Sequence, residues 1–295
     1  MLYHAENYSL APEYDQYGMV IESTLGREDP WHVRVAVARA IEASAPSFRA
    51  ADVVPFFVFA LQPGTALSDR HEAVRHAMLE ASSAVIDARG DDVLSELLSQ
   101  LEASLESEHD AVTEAAVVLL GRAARYLPAD SAHVRRVVER LLSALRTPSE
   151  LVQEAVASCL PALVRASAAA KDVPSIVDRL FVDLLHGDKY ATRRGAAYGL
   201  AGVVKGRGVS AIRELRILAR LSEAAHDTST TTTRQGALFA YELLASTLHV
   251  LLQPYVDGIL ADLLLCFGDT HADVREATQD AARVLMRSLS GQCLK

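Results

Sequence analysis

The chain has few cysteines, few aromatic residues and no long apolar run. Its three cysteines, Cys159, Cys266 and Cys293, are far apart and odd in number among 295 residues. We therefore expect reduced thiols in a cytosolic protein, and neither a disulfide framework nor a zinc site. The longest apolar runs are Val53–Leu61 and Ile259–Phe267, the second interrupted by Asp262. A membrane span needs about 20 apolar residues, so we expect none. The first residues lack a basic region followed by an apolar core, so no signal peptide is expected.

Motifs that carry catalysis are also missing. His71 and His76 are five residues apart, which places them about 140° apart around a helix, so they cannot share a zinc ion. The glycines between 195 and 208 match no phosphate-binding pattern, and Gly208–Ile212 lacks the second glycine of a nucleophile elbow. We therefore expect no enzymatic activity, cofactor, bound metal or small-molecule substrate.

What the sequence does contain is an internal repeat. The string Val274-Arg275-Glu276-Ala277 has related copies upstream, among them Val152-Gln153-Glu154-Ala155 and Val74-Arg75-His76-Ala77. Two copies, Arg193-Arg194-Gly195-Ala196 and Arg234-Gln235-Gly236-Ala237, put arginine in the valine position. The shared alanines stand at positions 36, 77, 115, 155, 196, 237 and 277, at intervals of 38 to 41 residues. Constant spacing of this kind is typical of stacked repeats.

Each copy follows a polar turn, and a leucine-rich helical pattern precedes that turn. Aspartate or serine in the turn is expected to cap the alanine-rich helix that follows. The unit is thus helix–turn–helix of about 40 residues, the HEAT/armadillo period. We predict an all-α, right-handed α-solenoid of about seven repeats, continuous over residues 29–295. The arginines of the motif are expected to tie neighbouring turns together through carboxylates or carbonyls.

Residues 1–28 differ from the repeats. They hold four of the nine tyrosines, Tyr3, Tyr8, Tyr14 and Tyr17. The pattern from Tyr14 to Leu25 weakly favours a helix, so we expect a divergent segment or a partial first helix that caps the array.

One region reverses the charge of an acidic chain. The net charge of the chain is −9, yet residues 186–220 contain eight basic and two acidic residues, a net of +6. Such a local patch can contact a phosphate backbone or an acidic protein, although pairs with neighbouring repeats explain it equally well. Because a helix of about 16 residues spans about 24 Å, we expect two basic spots. The candidate partner-binding residues are Lys189, Arg193, Arg194, Lys205, Arg207 and Arg213.

The same helix has glycines at 195, 199 and 202, which fall on one face. Glycine inside a helix costs about 1 kcal/mol relative to alanine. A glycine stripe is therefore expected where a neighbouring helix packs very closely, or where a partner meets the backbone.

The segment Gly187-Asp188-Lys189-Tyr190-Ala191-Thr192-Arg193-Arg194-Gly195-Ala196-Ala197-Tyr198-Gly199-Leu200 closely resembles one known family. Trp31-His32-Val33-Arg34, Gly236-Ala237-Leu238-Phe239 and Leu263-Leu264-Leu265-Cys266-Phe267-Gly268-Asp269 match the same family. The resemblance is to the general-control translational activators, giant HEAT-repeat proteins. It covers about Trp31 to the C-terminus and includes the segment similar to the HEAT region of fungal elongation factor 3.

The resemblance implies a cytosolic, ribosome-associated scaffold of the amino-acid starvation response. Family members sit on stalled ribosomes and activate the initiation-factor-2-alpha kinase, and this segment contacts the ribosome and an ABC-type ATPase. The expected partners are therefore rRNA or acidic ribosomal proteins, that ATPase and that kinase. No part of this chain matches the family's kinase-binding region. The alternative is a generic HEAT-repeat adaptor that binds proteins without contacting the ribosome.

Overall fold

A computed structural model describes residues 14–20, 29–127, 132–165 and 171–288. Apart from one isolated β-bridge near the N-terminus, the regular structure in these ranges is helical, which confirms the all-α HEAT-type fold. The chain divides into two compact units, Met1–Tyr126 and Leu127–Lys295. A single continuous array from residue 29 to 295 stays a prediction.

The first unit contains five α-helices among its described residues. They are α1 (Trp31–Ser44), α2 (Ala50–Ala60), α3 (Glu72–Arg89), α4 (Leu94–Ser104) and α5 (Asp110–Ala123). Short 3₁₀ segments follow or join them at Ala45–Ser47, Ala66–Ser68, Gly90–Val93 and Ala124–Tyr126.

The second unit contains nine α-helices in the part of the chain that the structure describes. They are α6 (Ala132–Ala144), α7 (Glu150–Leu163), α8 (Val173–His186), α9 (Tyr190–Arg207), α10 (Ser210–Glu214), α11 (Ile217–Ala225), α12 (Thr231–Leu248), α13 (Val256–Phe267) and α14 (Ala272–Ser288). A 3₁₀ segment, His249–Tyr255, joins α12 to α13.

Helices that carry the repeated small residue pack on one another and form one layer of each unit. In the first unit α3 contacts both α1 and α5. In the second unit α9 contacts both α7 and α12, and α12 also contacts α14. The leucine-rich helices pack against this layer, as α4 does on α5 and α8 on α9. Spacings of three and four residues place the apolar side chains on one helix face, so Leu97 and Leu101 of α4 are fully buried.

The turn carboxylates act differently from the predicted caps. Ser149 is at the N-cap of α7, but its side chain makes no capping hydrogen bond. Instead, Asp69 and Asp269 each accept the backbone N–H two residues later through Oδ1, at 2.8 Å. Such side-chain bonds close the turn locally, so these aspartates stabilise the turn rather than the helix end.

The predicted helix from Tyr14 is wrong over residues 14–20. This stretch is a tight turn closed by a bridge between Tyr14 and Val20. Asp15 Oδ1 accepts the backbone N–H groups of Tyr17 and Met19 at 2.8 and 2.9 Å, and Gly18 has a φ of +77°. The local aspartate bonds satisfy the backbone without a helix. Tyr3, Tyr8 and residues 21–25 lie outside the described residues.

By length and composition alone, the 37-residue stretch Thr231–Phe267 could cross a membrane, contrary to the expectation from run length. The structure divides it at residues 249–255, where His249 has a φ of +48°. Its first helix, α12, is a core helix that packs against α9 and α14. Most of its apolar side chains are buried there.

Candidate functional site

The arginines of the repeat motif belong to the turns. Arg75, Arg193 and Arg275 each donate from Nη1 to the carbonyl six residues earlier, at 2.8 Å. The carbonyl five residues earlier accepts a second bond from the same nitrogen, at 3.0 to 3.3 Å. The guanidinium therefore satisfies carbonyl groups that the turn would otherwise leave unpaired.

Three arginines of the motif also link one repeat to the next. Arg193 donates to the Gln235 side chain at 2.8 Å, and Arg234 binds the Asp269 carboxylate at 2.6 Å through Nε. In the first unit Arg34 binds Asp69 at 2.7 Å in the same way. The expectation that arginines tie neighbouring turns together is therefore confirmed.

These contacts correct the repeat alignment by one residue in the fifth and sixth copies. Arg193 occupies the position of Arg75 and Arg275, not the valine position, which Thr192 occupies instead. Gly195 then takes the place of the repeated alanine. A Cβ at Gly195 would lie 1.8 Å from the carbonyl oxygen of Leu145, so the helix crossing is too close even for alanine.

Arg193 is consequently unavailable to a partner. It is 6% exposed, and burial lowers the pKa of its guanidinium. A buried cation bonded on two sides is part of the fold. The prediction that Arg193 contacts a partner is therefore wrong, because its guanidinium is buried and bonded within the fold.

Arg194 is engaged as well. Its Nη2 lies 2.9 Å from Glu242 Oε1 and 3.4 Å from Glu150 Oε1, and its guanidinium stacks over the Phe239 ring. Desolvation works against the charged form, but the hydrogen bond with Glu242 and the charges of Glu242, Tyr190 and Tyr198 together outweigh it and raise the pKa of Arg194. Arg194 therefore joins α9 to α7 and α12 and offers little charge to solvent.

The other four candidates are free. Lys189, Lys205, Arg207 and Arg213 are exposed, and none forms an ion pair with a residue that the structure describes. Lys189 stands alone at the N-terminal end of α9. The other three lie at its C-terminal end and on α10, and α9 has 18 residues, about 27 Å at 1.5 Å per residue. The basic charge therefore concentrates at one end.

A further basic residue, missed from the sequence, joins this end. Arg165 is exposed, and its Nε donates to the carbonyl of Gly206 at 3.1 Å. A Cβ at Gly206 would lie 2.4 Å from Val164, so the chains meet closely beside Lys205 and Arg207. The 41-residue offset between Arg165 and Gly206 was the available signal. We call Arg165, Lys205, Arg207 and Arg213 the basic edge.

The glycine stripe of α9 is explained by packing. A Cβ at Gly202 would lie 2.7 Å from the Ala157 carbonyl oxygen, and one at Gly199 would meet Leu145 and Leu180. These glycines let α9 approach its neighbours, which confirms the close-packing expectation. They leave the basic edge as the candidate contact surface of this helix.

The chemistry of the basic edge is electrostatic. Guanidinium and ammonium groups on exposed stems bind phosphate oxygens or carboxylates without a shaped cavity. Among the described residues, no group of three or more His, Cys, Asp or Glu side chains could hold a metal ion. The basic edge can therefore act as a docking surface for an anionic polymer.

Comparison with known proteins gives two family matches. Residues 1–125 match the family model described as "Stalled ribosome sensor GCN1, HEAT repeats". Residues 193–295 match the model described as "EF3 N-terminal HEAT repeat". The second match contains Lys205, Arg207 and Arg213.

Several curated relatives match almost the whole chain. The stalled ribosome sensor GCN1 of Homo sapiens is 40% identical over 299 residues, which is 100% of this chain and 11% of that protein. The eIF-2-alpha kinase activator GCN1 of Saccharomyces cerevisiae is 36% identical over 97% of this chain and 11% of its own length. The protein ILITYHIA of Arabidopsis thaliana is 38% identical over 90% of this chain and 10% of its own length.

Among solved structures, an engineered protein aligns with 89% of this chain and 98% of its own, at a TM-score of 0.34 and 18% identity, too distant to support an argument. The chain spans about a tenth of the curated relatives that it matches. Within that span the matches cover 90% to 100% of this chain at 36–40% identity, and the helices pair as HEAT repeats do. The chain therefore belongs to the GCN1 family, as one of its HEAT-repeat segments.

Proposed function

We propose that this chain is a scaffold segment that contacts the ribosome in the response to stalled translation. The names of its relatives, stalled ribosome sensor and eIF-2-alpha kinase activator, support this function. Because the chain spans about a tenth of those proteins, the contribution proposed for it is docking. In this proposal it works in the cytosol on ribosomes.

The observation that carries the proposal is the basic edge. Three of its residues, Lys205, Arg207 and Arg213, are exposed and unpaired among the described residues of a chain whose net charge is −9. Unpaired cations on an acidic protein favour one contact orientation on rRNA, because the remaining surface is repelled by phosphate. Lys189, at the far end of α9, is a secondary contact.

The ABC-type ATPase and the initiation-factor-2-alpha kinase are proposed as more distant partners. The match of residues 193–295 to the elongation factor 3 HEAT model supports the first. The name of the yeast relative, eIF-2-alpha kinase activator, supports the second.

The test is sedimentation of the tagged chain in a sucrose gradient of cell lysate, at low and high salt. We expect comigration with ribosomes that is lost at high salt. The double variant Lys205→Glu/Arg207→Glu should remain at the top of the gradient, since it reverses two charges of the basic edge.

The matched control is Arg39→Glu/Arg287→Glu. It changes the net charge equally, both residues are exposed, and Arg287, like Arg207, lies in the last turn of its helix. This control should sediment like the original chain. If both variants lose comigration with ribosomes equally, the effect comes from net charge and not from the basic edge. Unchanged sedimentation of Lys205→Glu/Arg207→Glu would contradict the proposal. If the original chain never reaches the ribosome, the segment is a protein adaptor.

A further inference from the structure

A buried carboxylate that two hydroxyl groups hold in place lines a cavity in the second unit. Asp262, the acid that interrupts the apolar run of α13, is 4% exposed. Its Oδ1 accepts a hydrogen bond from Ser222 at 3.0 Å, and its Oδ2 accepts one from the Tyr241 hydroxyl at 2.5 Å. The ionisable side chain of His226 lies farther away, with Nδ1 at 3.6 Å from Oδ1.

These bonds leave acceptor capacity on the carboxylate unused. A carboxylate has about four acceptor sites, and two hydroxyl donors use two of them. His226 is 54% exposed and its Nδ1 lies 2.8 Å from the Ser222 carbonyl oxygen, whereas its distance to Asp262 Oδ1 is too long for a hydrogen bond. Buried charges are otherwise paired or bound to a ligand.

The cavity beside Asp262 has a volume of about 370 Å³, near the lower end of the range for small-ligand sites, about 300–1,000 Å³. Leu218, Pro254 and Ile259 supply apolar contacts, and Tyr255 supplies an aromatic ring. The cavity is therefore apolar along its walls and anionic at one point.

Gly258 leaves that space open. It lines the cavity, and a Cβ built there would meet no atom within 4 Å. Tyr255, Gly258, Ile259 and Asp262 follow at three- and four-residue spacing, so they share one face of α13. A glycine inside a helix weakens it, and here, unlike at Gly195, no neighbouring chain requires one.

We propose that this cavity binds an aliphatic cation, an alkylammonium or alkylguanidinium group on a short methylene chain. The cationic group pairs with Asp262, and the methylenes lie against Leu218, Pro254 and Ile259. The side chains of Tyr241 and Tyr255 also line the cavity. A free diamine and a lysine side chain presented by a partner share this chemistry.

The test is calorimetric titration of the full chain with cadaverine and agmatine, and with 1,5-pentanediol as the neutral analogue. We expect both amines to bind and the diol to give no heat. Asp262→Asn should weaken binding by about tenfold or more, since it removes a charge-assisted hydrogen bond. Gly258→Leu should abolish binding by filling the cavity while leaving Asp262 bonded.

Two matched variants on the same helix serve as controls. Asp257→Asn removes an exposed carboxylate of α13, and Ala261→Leu enlarges an exposed side chain of α13. Both should bind the amines as the original chain does. Thermal melts followed by circular dichroism identify any variant that is misfolded, and such a variant is excluded from the binding comparison.

A second arm distinguishes the two sources of the cation. It titrates the peptide Gly-Gly-Lys-Gly-Gly and its Nε-acetylated form. Binding of cadaverine alone assigns the site to free diamines, and binding of the unacetylated peptide assigns it to a lysine side chain. No binding of any amine to the original chain overturns the proposal, as does equal binding by the diol or by Gly258→Leu.

Discussion

At the scale of single residues, the molecule uses positive charge in two ways. Arg193 and Arg234 form hydrogen bonds within turns, whereas Lys205 and Arg207 form no ion pair with any described residue. The two groups look alike in the sequence, because all lie within the basic region and its flank. Their burial separates them.

This division predicts opposite effects for two neighbouring substitutions. Arg193→Ala leaves the carbonyls of Gly187 and Asp188 and the Gln235 side chain without their donor, so unfolding free energy should fall by about 1–3 kcal/mol. Lys189→Ala, an exposed change, should stay within about 0.5 kcal/mol. Urea unfolding at neutral pH measures both. Equal stabilities would contradict the structural role given to Arg193.

Acid should remove the contribution of the Arg234–Asp269 pair. The hydrogen bond from Arg234 lowers the pKa of Asp269 from 3.8 to about 2. A carboxylate whose pKa is lower in the folded state stabilises the fold above its unfolded pKa and loses that effect as pH falls. The difference in unfolding free energy between the original chain and Arg234→Met should therefore shrink between pH 4 and pH 2.

A pH series of urea titrations measures that difference, with Arg287→Met as the control at an exposed arginine. The expected loss is about 1–2 kcal/mol, because the hydrogen bonds from His271, which remain in Arg234→Met, also lower the pKa of Asp269. A difference that stays constant down to pH 2 would mean that the pair adds no stability through charge.

At the scale of helices, Gly195 and Gly258 both lie inside a helix, but only Gly195 is required by close packing. Gly195→Ala places a Cβ 1.8 Å from the Leu145 carbonyl oxygen. The better helix propensity of alanine cannot offset that overlap, so unfolding free energy should fall by about 2 kcal/mol or more. Gly258→Ala enters open space and should raise it by up to about 1 kcal/mol. Thermal melts of both variants give the comparison, and stabilisation by Gly195→Ala would refute the packing explanation.

The repeat and its helices could be predicted because they depend on apolar periodicity within one stretch of chain. The predicted position of the arginine in the fifth and sixth copies was wrong by one residue. The copies were aligned on alanine, whereas Gly195 occupies the alanine position of the fifth copy. The N-terminal turn was missed because Asp15 bonds its own backbone, a local effect that periodicity does not register. Arg165 and the cavity beside Asp262 depend on contacts between residues about 40 positions apart in the sequence. A pattern read within one repeat does not show such contacts.

At the scale of the whole molecule, an acidic chain with one basic edge should bind RNA with a defined salt dependence. Each phosphate contact contributes about 0.7 to 0.9 to the slope of log affinity against log salt, the range between single strands and B-form duplexes. Lys205→Gln/Arg207→Gln should therefore lower that slope by about 1–2 relative to the original chain. Filter binding to purified ribosomes at several potassium concentrations measures it. An unchanged slope would place the phosphate contacts elsewhere.

The turn bonds of the second unit also bear on how that unit can bend. Arg193 and Arg234 fasten each turn to the following repeat at one end of α9 and α12. At the opposite end of α9, the bond from Arg165 to the Gly206 carbonyl joins the preceding repeat beside Lys205 and Arg207. Bending of the unit therefore has to take place away from both of these joints. The charges of Arg165, Lys205 and Arg207 keep their spacing as the unit bends, so a row of phosphates meets the same pattern at every curvature.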